Sequence, residues 1–300
     1  MPREPLRALL ADLAAGRPGR APGPAPDVLA GADSIGKLEA VLAIEAAFGI
    51  VLDETALARV RTLDDLDALV VAALAASASR PAAAPAPAAP LPPVPAAAWG
   101  RPAAWLLTTG MRAWFRLRVT GWEHLPVHAP CLLCANHASH LDSLALLASA
   151  GPARSRLVFA AARDYFFARP RLARWATRAL PLIPWERAGR LDPMRENLRH
   201  LAACRAGGRI VVFFPEGSRS RTGELAPFGD GLAFLATQTD LPVVPCWIGG
   251  THRALRKGAR WPRPGRIDVA FGRPLRATAD GPDFAARVRD ALLALAAAAP

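Results

Sequence analysis

Two hydrophobic rhythms divide the chain. Near the N-terminus the apolar positions recur every three to four residues. Leu6, Leu9, Leu10 and Leu13 form one stripe, and Ile35, Leu38, Val41, Leu42 and Phe48 form another. That period places one face of each helix against a core. A Gly/Pro-rich loop, GRPGRAPGPAP, separates the two stripes, and Asp33 or Ser34 is placed to cap the second helix. TLDDLDALVVAALAA predicts a last helix. Farther along, the rhythm changes. Short apolar runs at 129–135, 156–161, 180–184, 209–214, 242–248 and 266–271 read as strands. Helical patterns lie between several of them, at 143–150, 169–179, 192–206 and 229–237. Alternation of this kind predicts an α/β domain.

Between the two regions, SRPAAAPAPAAPLPPVPAAA at 79–98 holds seven prolines and has no periodic pattern. It reads as a semi-rigid Pro/Ala linker, partly polyproline II, with a reach on the order of 50 Å. The expected organisation is a small helical domain at 1–78, this linker, and a large domain at 99–300.

Charge sharpens that division. The net charge is +12 over 300 residues, but residues 1–78 carry −4 and residues 79–300 carry +16. A basic surface suits anionic lipid, an acidic protein or nucleic acid. There is no zinc-finger spacing, no RNP-like aromatic pattern and no basic helix with heptads, so no nucleic-acid partner is expected. Cys131 and Cys134 have C-x-x-C spacing but lie inside the apolar run PCLLCAN, and no second pair follows. With Cys204 and Cys246 they read as small buried hydrophobes of a reducing compartment, not as zinc ligands or a disulfide framework. No signal-peptide pattern opens the sequence, and no run reaches the ~18 apolar residues of a spanning helix. Contact with a membrane is therefore expected from one side.

Polar clusters follow the predicted strands. CLLCA runs into Asn136 and His137, LPLIPW into Glu186 and Arg187, and RIVVFF into Pro215, Glu216, Gly217, Ser218 and Arg219. In open α/β sheets, sites gather at the carboxyl ends of strands, so the three clusters predict one shared pocket. His137 and Asp142 are too far out of phase to face each other on one ideal helix. They meet only if His137 precedes the helix and Asp142 sits in its first turn. Asp142 then fixes the imidazole tautomer and leaves the other nitrogen free as a base. A base that takes a proton from an alcohol, so that it attacks an acyl carbonyl, is acyl-transfer chemistry. His137, His140 and Asp142 as metal ligands is the competing use. The H-x-x-H-x-D spacing is unusual for it and no further ligand cluster stands out, so no metal is expected.

NHASHLD and FPEGSRSRTGELAPFGDG together resemble the glycerolipid acyltransferases, typified by lysophosphatidate acyltransferase, over roughly residues 110–275. His137 and Asp142 fall on the family's H-x4-D motif, Arg187 on its second block, FPEGSRS on its third, and Pro245 of LPVVPCWI on its fourth. The resemblance implies a central mixed sheet flanked by helices. It makes His137 the general base toward a lipid hydroxyl and Asp142 the group that orients it. It has Glu216 help place the acceptor, Arg219 and Arg187 bind the acceptor's phosphate, and Gly217 and Ser218 line the approach.

ADSIGKLE…FGI resembles the acyl carrier protein signature, in which an Asp-Ser-aliphatic triplet opens the second helix; the match covers roughly residues 3–76. It implies a four-helix carrier bundle with 4'-phosphopantetheine on Ser34, and an acidic face that includes Asp33 and Glu39. The sequence departs from the signature in Gly36 and in its short, Pro-rich first loop.

Together these readings predict an O-acyltransferase. It moves a fatty acyl group from a thioester, on its own carrier domain or on acyl-CoA, to a lysophospholipid hydroxyl, turning 1-acylglycerol-3-phosphate into phosphatidate. The partners implied are a phosphopantetheinyl transferase, an acyl-loading ligase and the cytoplasmic face of a membrane, where the protein would sit peripherally. WGRPAAWLLTTGMRAWFRLR at 99–118 is either an interfacial helix or a helix packed on the enzyme core. Two alternatives stay open: a carrier and docking protein that hands its chain to a separate synthase, and the same transferase acting on an ornithine lysolipid, a glycolipid or a secondary-metabolite alcohol.

Overall fold

The computed structural model describes residues 4–6, 8–9, 34–78, 101–164, 180–186, 191–228, 231–256, 258–259, 261–277 and 283–299. The linker expected at 79–98, the helix expected at 169–179, and Leu10, Leu13, Asp33 and Arg187 lie outside them. The chain forms two compact units, residues 1–87 with 188–196 and residues 88–187 with 197–300.

In the first unit the described residues are helices and short connections. Helix α1 (Ser34–Phe48) buries Leu38, Val41 and Ile44, three positions of the predicted stripe or beside it. A short α2 (Glu54–Leu57) is capped by Asp53, whose carboxylate accepts the Ala56 N–H at 2.9 Å. Helix α3 (Leu63–Ala78) starts with a reciprocal cap. Asp65 accepts the Thr62 N–H at 2.9 Å, while the Thr62 hydroxyl accepts the Asp65 N–H at 3.1 Å. Leu6, Ala40, Ile50, Leu52, Leu66 and Val70 are buried as well.

The second unit opens with α4 (Arg101–Phe115). Met111 and Phe115 of this helix are buried in the core, yet Trp105, Leu106 and Trp114 are exposed. One side of the helix thus packs on the core, while these large apolar groups remain outside. Among the described residues no helix is long and apolar enough to cross a membrane.

A seven-stranded mixed sheet follows: β1 (Arg118–Thr120), β2 (Cys131–Ala135), β3 (Leu157–Ala162), β4 (Leu182–Trp185), β5 (Ile210–Phe213), β6 (Val243–Gly249) and β7 (Asp268–Phe271). Its spatial order is β1-β7-β6-β2-β5-β3-β4. Strands β6, β2, β5, β3 and β4 run parallel, β7 is antiparallel to β6, and β1 is parallel to β7. All five residues of β2 are buried, as expected of a strand covered on both faces. Besides α4, the α-helices among the described residues of this unit are α5 (Leu141–Ser149), α6 (Leu191–Ala206, from 197 on), α7 (Gly231–Thr239), the short α8 (Thr251–Ala254) and α9 (Phe284–Ala298). Leu133, Val212 and Val244 of the sheet pack with Ala145 and Leu146 of α5 in one core.

Gly250 joins β6 to α8 in the left-handed region, at φ +85°, and a Cβ there would stand 2.0 Å from the Arg266 carbonyl oxygen. Alanine in that backbone conformation alone costs about 1–2 kcal/mol, before the carbonyl has to move. Gly250→Ala is therefore expected to lower stability by at least about 2 kcal/mol, read as a lower urea midpoint at unchanged slope. An unchanged midpoint would mean that this connection shifts freely.

Candidate active site

The site begins where β2 ends. Asn136, the first residue past the strand, is buried and bonds both ways to the β6 backbone. Its amide nitrogen donates to the Ile248 carbonyl at 2.9 Å, and its oxygen accepts the Ile248 N–H at 2.7 Å. A side chain thus continues the ladder one residue beyond β2 and fixes the direction in which the chain leaves the sheet. His137 follows, partly exposed. Its Nδ1 lies 2.8 Å from Oδ2 of Asp142, which is fully buried in the first turn of α5.

That same carboxylate oxygen accepts the backbone N–H groups of Ala138 and Ser139, each at 2.8 Å. An oxygen already accepting two N–H groups acts as a carboxylate acceptor, so Nδ1 is assigned as the donor in the third bond. The neutral imidazole then keeps its lone pair on Nε2. Ser139 anchors the loop elsewhere: its hydroxyl donates to the Leu255 carbonyl at 2.8 Å and accepts the Leu141 N–H at 3.2 Å. The turn expected between His137 and Asp142 is therefore present, and these five hydrogen bonds hold it.

The neighbouring strand β5 supplies the second wall. Phe214, one residue past its end, stacks on the His137 ring with centroids 4.1 Å apart and planes 19° from parallel. Glu216 accepts the His137 N–H at 2.8 Å, and the Ser220 N–H donates to the His137 carbonyl at 2.7 Å. Gly217 sits at φ +65° with open space where a Cβ would be, so its role is to let the loop turn. Gly217 and Ser218 are exposed and Arg219 is half-buried. His140 reaches the surface at the start of α5, yet desolvation, then the charges of Arg219 and His137, hold it below the usual imidazole range. Burial raises the Glu216 carboxyl against the bonds it accepts from His137 and Ala226.

Two of the three polar clusters lie on neighbouring strands, and the third starts farther off. Strands β2 and β5 are neighbours, but β4, which precedes Glu186, is the third strand over from β2. At the usual strand spacing that is roughly 14 Å. Glu186 pairs with Arg163 at 2.8 Å, and its backbone bonds both ways with the Asn197 side chain. It belongs to that edge of the sheet, and Arg187 lies outside the described residues. The four cysteines are free and buried. Burial pushes the Cys131 thiol up to about 12 and the Cys204 thiol up to about 11, as for inert core groups.

Sequence reasoning did not single out Ser139, Phe214 or Ser220, and it gave Asn136 no role. Only Asn136 carried a signal. It is a polar residue directly after a fully apolar strand, and an amide buried there needs partners.

A family model described as Acyltransferase matches residues 116–249. The 1-acyl-sn-glycerol-3-phosphate acyltransferase of Pseudomonas aeruginosa is 30% identical over 190 residues, which cover 61% of this chain and 68% of that protein. The enzyme of the same name from Limnanthes douglasii is 31% identical over 166 residues, 53% of this chain and 54% of its own. The chloroplastic form BAT2 of Brassica napus is 33% identical over 149 residues, 48% and 40%. The chain thus spans about half the length of these two plant relatives. The crystal structure of the 1-acyl-sn-glycerophosphate acyltransferase PlsC from Thermotoga maritima shares the fold, with a TM-score of 0.51 at 23% identity, over 63% of this chain and 76% of that one. The matched span holds both strand ends that meet at His137, and on these similarities the chain belongs to the acyltransferase family.

Proposed function

We propose that the protein transfers a fatty acyl group from a thioester to the free hydroxyl of 1-acylglycerol-3-phosphate, giving phosphatidate. The observation that carries this reading is the His137–Asp142 pair, with Nδ1 committed to a buried carboxylate at 2.8 Å and Nε2 left as a base. His137 Nε2 takes the hydroxyl proton as the acceptor oxygen attacks the thioester carbonyl. The new C–O bond forms, the C–S bond breaks, and the imidazolium returns the proton to the leaving sulfur. Half-buried Arg219, on the loop beside His137, supplies a planar bidentate donor for the acceptor phosphate. Arg187 serves the same phosphate in this reading. The exposed Trp105, Leu106 and Trp114 of α4, with Arg112 on the same helix, suit peripheral contact with the anionic cytoplasmic face of a membrane.

The donor in this reading is the chain's own N-terminal unit, loaded by a phosphopantetheinyl transferase and an acyl ligase, with acyl-CoA as the free alternative. Ser34 is the first residue of α1, and a helix N-terminus favours negative charge near it. Phosphopantetheine attached there supplies a terminal thiol that holds the acyl chain as a thioester. The opposite net charges of residues 1–78 and 79–300 favour cis delivery, and tethering raises the effective concentration to about millimolar when it spans the sites well.

The test is to load the protein with a labelled acyl chain on Ser34 phosphopantetheine, add lysophosphatidate, and follow the label by mass spectrometry. Label is expected in phosphatidate, and Ser34→Ala should abolish this transfer while sparing transfer from acyl-CoA. Label that stays on the protein while acyl-CoA still acylates the lipid would assign the carrier to another partner. No lipid product from either donor would reject this acceptor.

A further inference from the structure

The resemblance assigned Glu216 to the acceptor. The geometry points instead to Glu216 as a positioning residue for His137, clamping the backbone of the catalytic loop from the neighbouring strand. This inference rests on His137 acting as the base.

Both carboxylate oxygens are already engaged with backbone. Oε1 accepts the His137 N–H at 2.8 Å, and Oε2 accepts the Ala226 N–H at 3.3 Å. One side chain therefore ties the exit of β2 to the far end of the 214–226 loop. The rest of the loop makes the same attachment. The Ser220 N–H holds the His137 carbonyl at 2.7 Å, so both backbone polar groups of His137 are held by this one segment. Phe214 fixes the plane of the ring from one face. Ser220 is in turn held by Gly223, whose N–H donates to its hydroxyl at 3.0 Å. Asp142 then sets the remaining freedom of the ring through Nδ1. The backbone, the ring plane and the tautomer of His137 each have a separate keeper.

Removing the Glu216 keeper lets His137 drift without taking away any group that touches the acceptor. A misplacement of about 1 Å can cost 10²-fold in rate. Glutamine retains one carbonyl oxygen, enough for the shorter bond to His137, and loses the bond to Ala226.

The experiment compares Glu216→Ala and Glu216→Gln with wild type in kcat and in KM for lysophosphatidate. It adds the imidazole nitrogen spectrum of His137 by NMR, assigned by comparison with a His137→Ala protein. The expected result is a kcat lowered roughly 10²-fold in E216A, with KM within about twofold of wild type, and most of that loss recovered in E216Q. The spectrum should show the Nδ1–H form, held by Asp142, in all three proteins, with the His137 signals shifted or broadened in E216A alone. A raised KM with kcat unchanged, or E216Q as impaired as E216A with an unaltered His137 spectrum, would overturn the inference and return Glu216 to the acceptor. If E216A does not fold, E216Q decides alone: a raised KM overturns, and an unchanged KM with kcat within tenfold of wild type supports. A wild-type protein that makes no phosphatidate sinks the proposed reaction, and the His137 spectra then decide the role of Glu216 by themselves.

Discussion

His137→Ala is expected to lower the turnover of acyl transfer by about 10³-fold, in the middle of the range that a positioned general base supplies. The loss should appear with either donor, because the proton comes from the acceptor hydroxyl in both. The fold should survive it. The ring is partly exposed and its main packing partner is Phe214, a contact of about 1 kcal/mol. Its backbone bonds to Glu216 and Ser220 do not involve the side chain. Asp142 keeps two of its three donors, the N–H groups of Ala138 and Ser139. A thermal melt should therefore move by roughly 3 °C while initial rates with a labelled acyl thioester collapse. Activity within tenfold of wild type would remove His137 from the chemistry.

What the sequence let one read depends on how local each feature is. Strands β2, β3, β5 and β6 lie within two residues of the runs that predicted them, because each is short, apolar and bounded by polar or turn residues. Strand β1 was missed: Arg118–Thr120 is three residues long and mostly exposed, so it has no apolar run to show. Helix α9 was missed as well. It is Ala-rich, and burial of Phe284, Ala285, Val288 and Leu292 needs a partner surface that the pattern alone does not name. The mixed character of the sheet was anticipated through the family resemblance, but not which strand reverses.

The site divides along the same line. His137 and Asp142 are close in sequence, so the turn that joins them was legible from helical phase. Strand order is not written locally, so the sequence does not tell that β4, which leads into Glu186, lies three strands from β2. The role of Glu216 was hidden for a related reason. Residue type announces a carboxylate, but its partners are two backbone N–H groups that any residue other than proline at 137 and 226 would offer.

Asp142 is the site where removing different atoms should give different answers. Asp142→Ala deletes the acceptor of three N–H groups, two of them on the backbone of a buried turn. Leaving such donors unpaired costs about 1–3 kcal/mol each. A loss on the order of 4 kcal/mol is therefore expected, along with a fall in rate of about 10⁴-fold as the tautomer and the turn are both released. Asp142→Asn is the more informative variant. The backbone donors of Ala138 and Ser139 force the amide oxygen into the place of Oδ2, since the NH2 group would meet them donor to donor. The same orientation keeps the Nδ1–H bond and therefore the tautomer. It puts the NH2 group where Oδ1 now lies, buried and without a hydrogen-bond partner, which costs about 1–3 kcal/mol. What asparagine cannot do is stabilise the imidazolium that forms as the acceptor loses its proton. Its rate is thus expected to fall about 10²-fold, well short of the alanine variant, with His137 still in the Nδ1–H form by NMR. Equal rates for the two variants would mean that the amide turns over and inverts the tautomer, against the preference of the two backbone donors. An asparagine variant with the wild-type rate would mean that the charge of Asp142 has no part in the reaction and that its task is to build the turn.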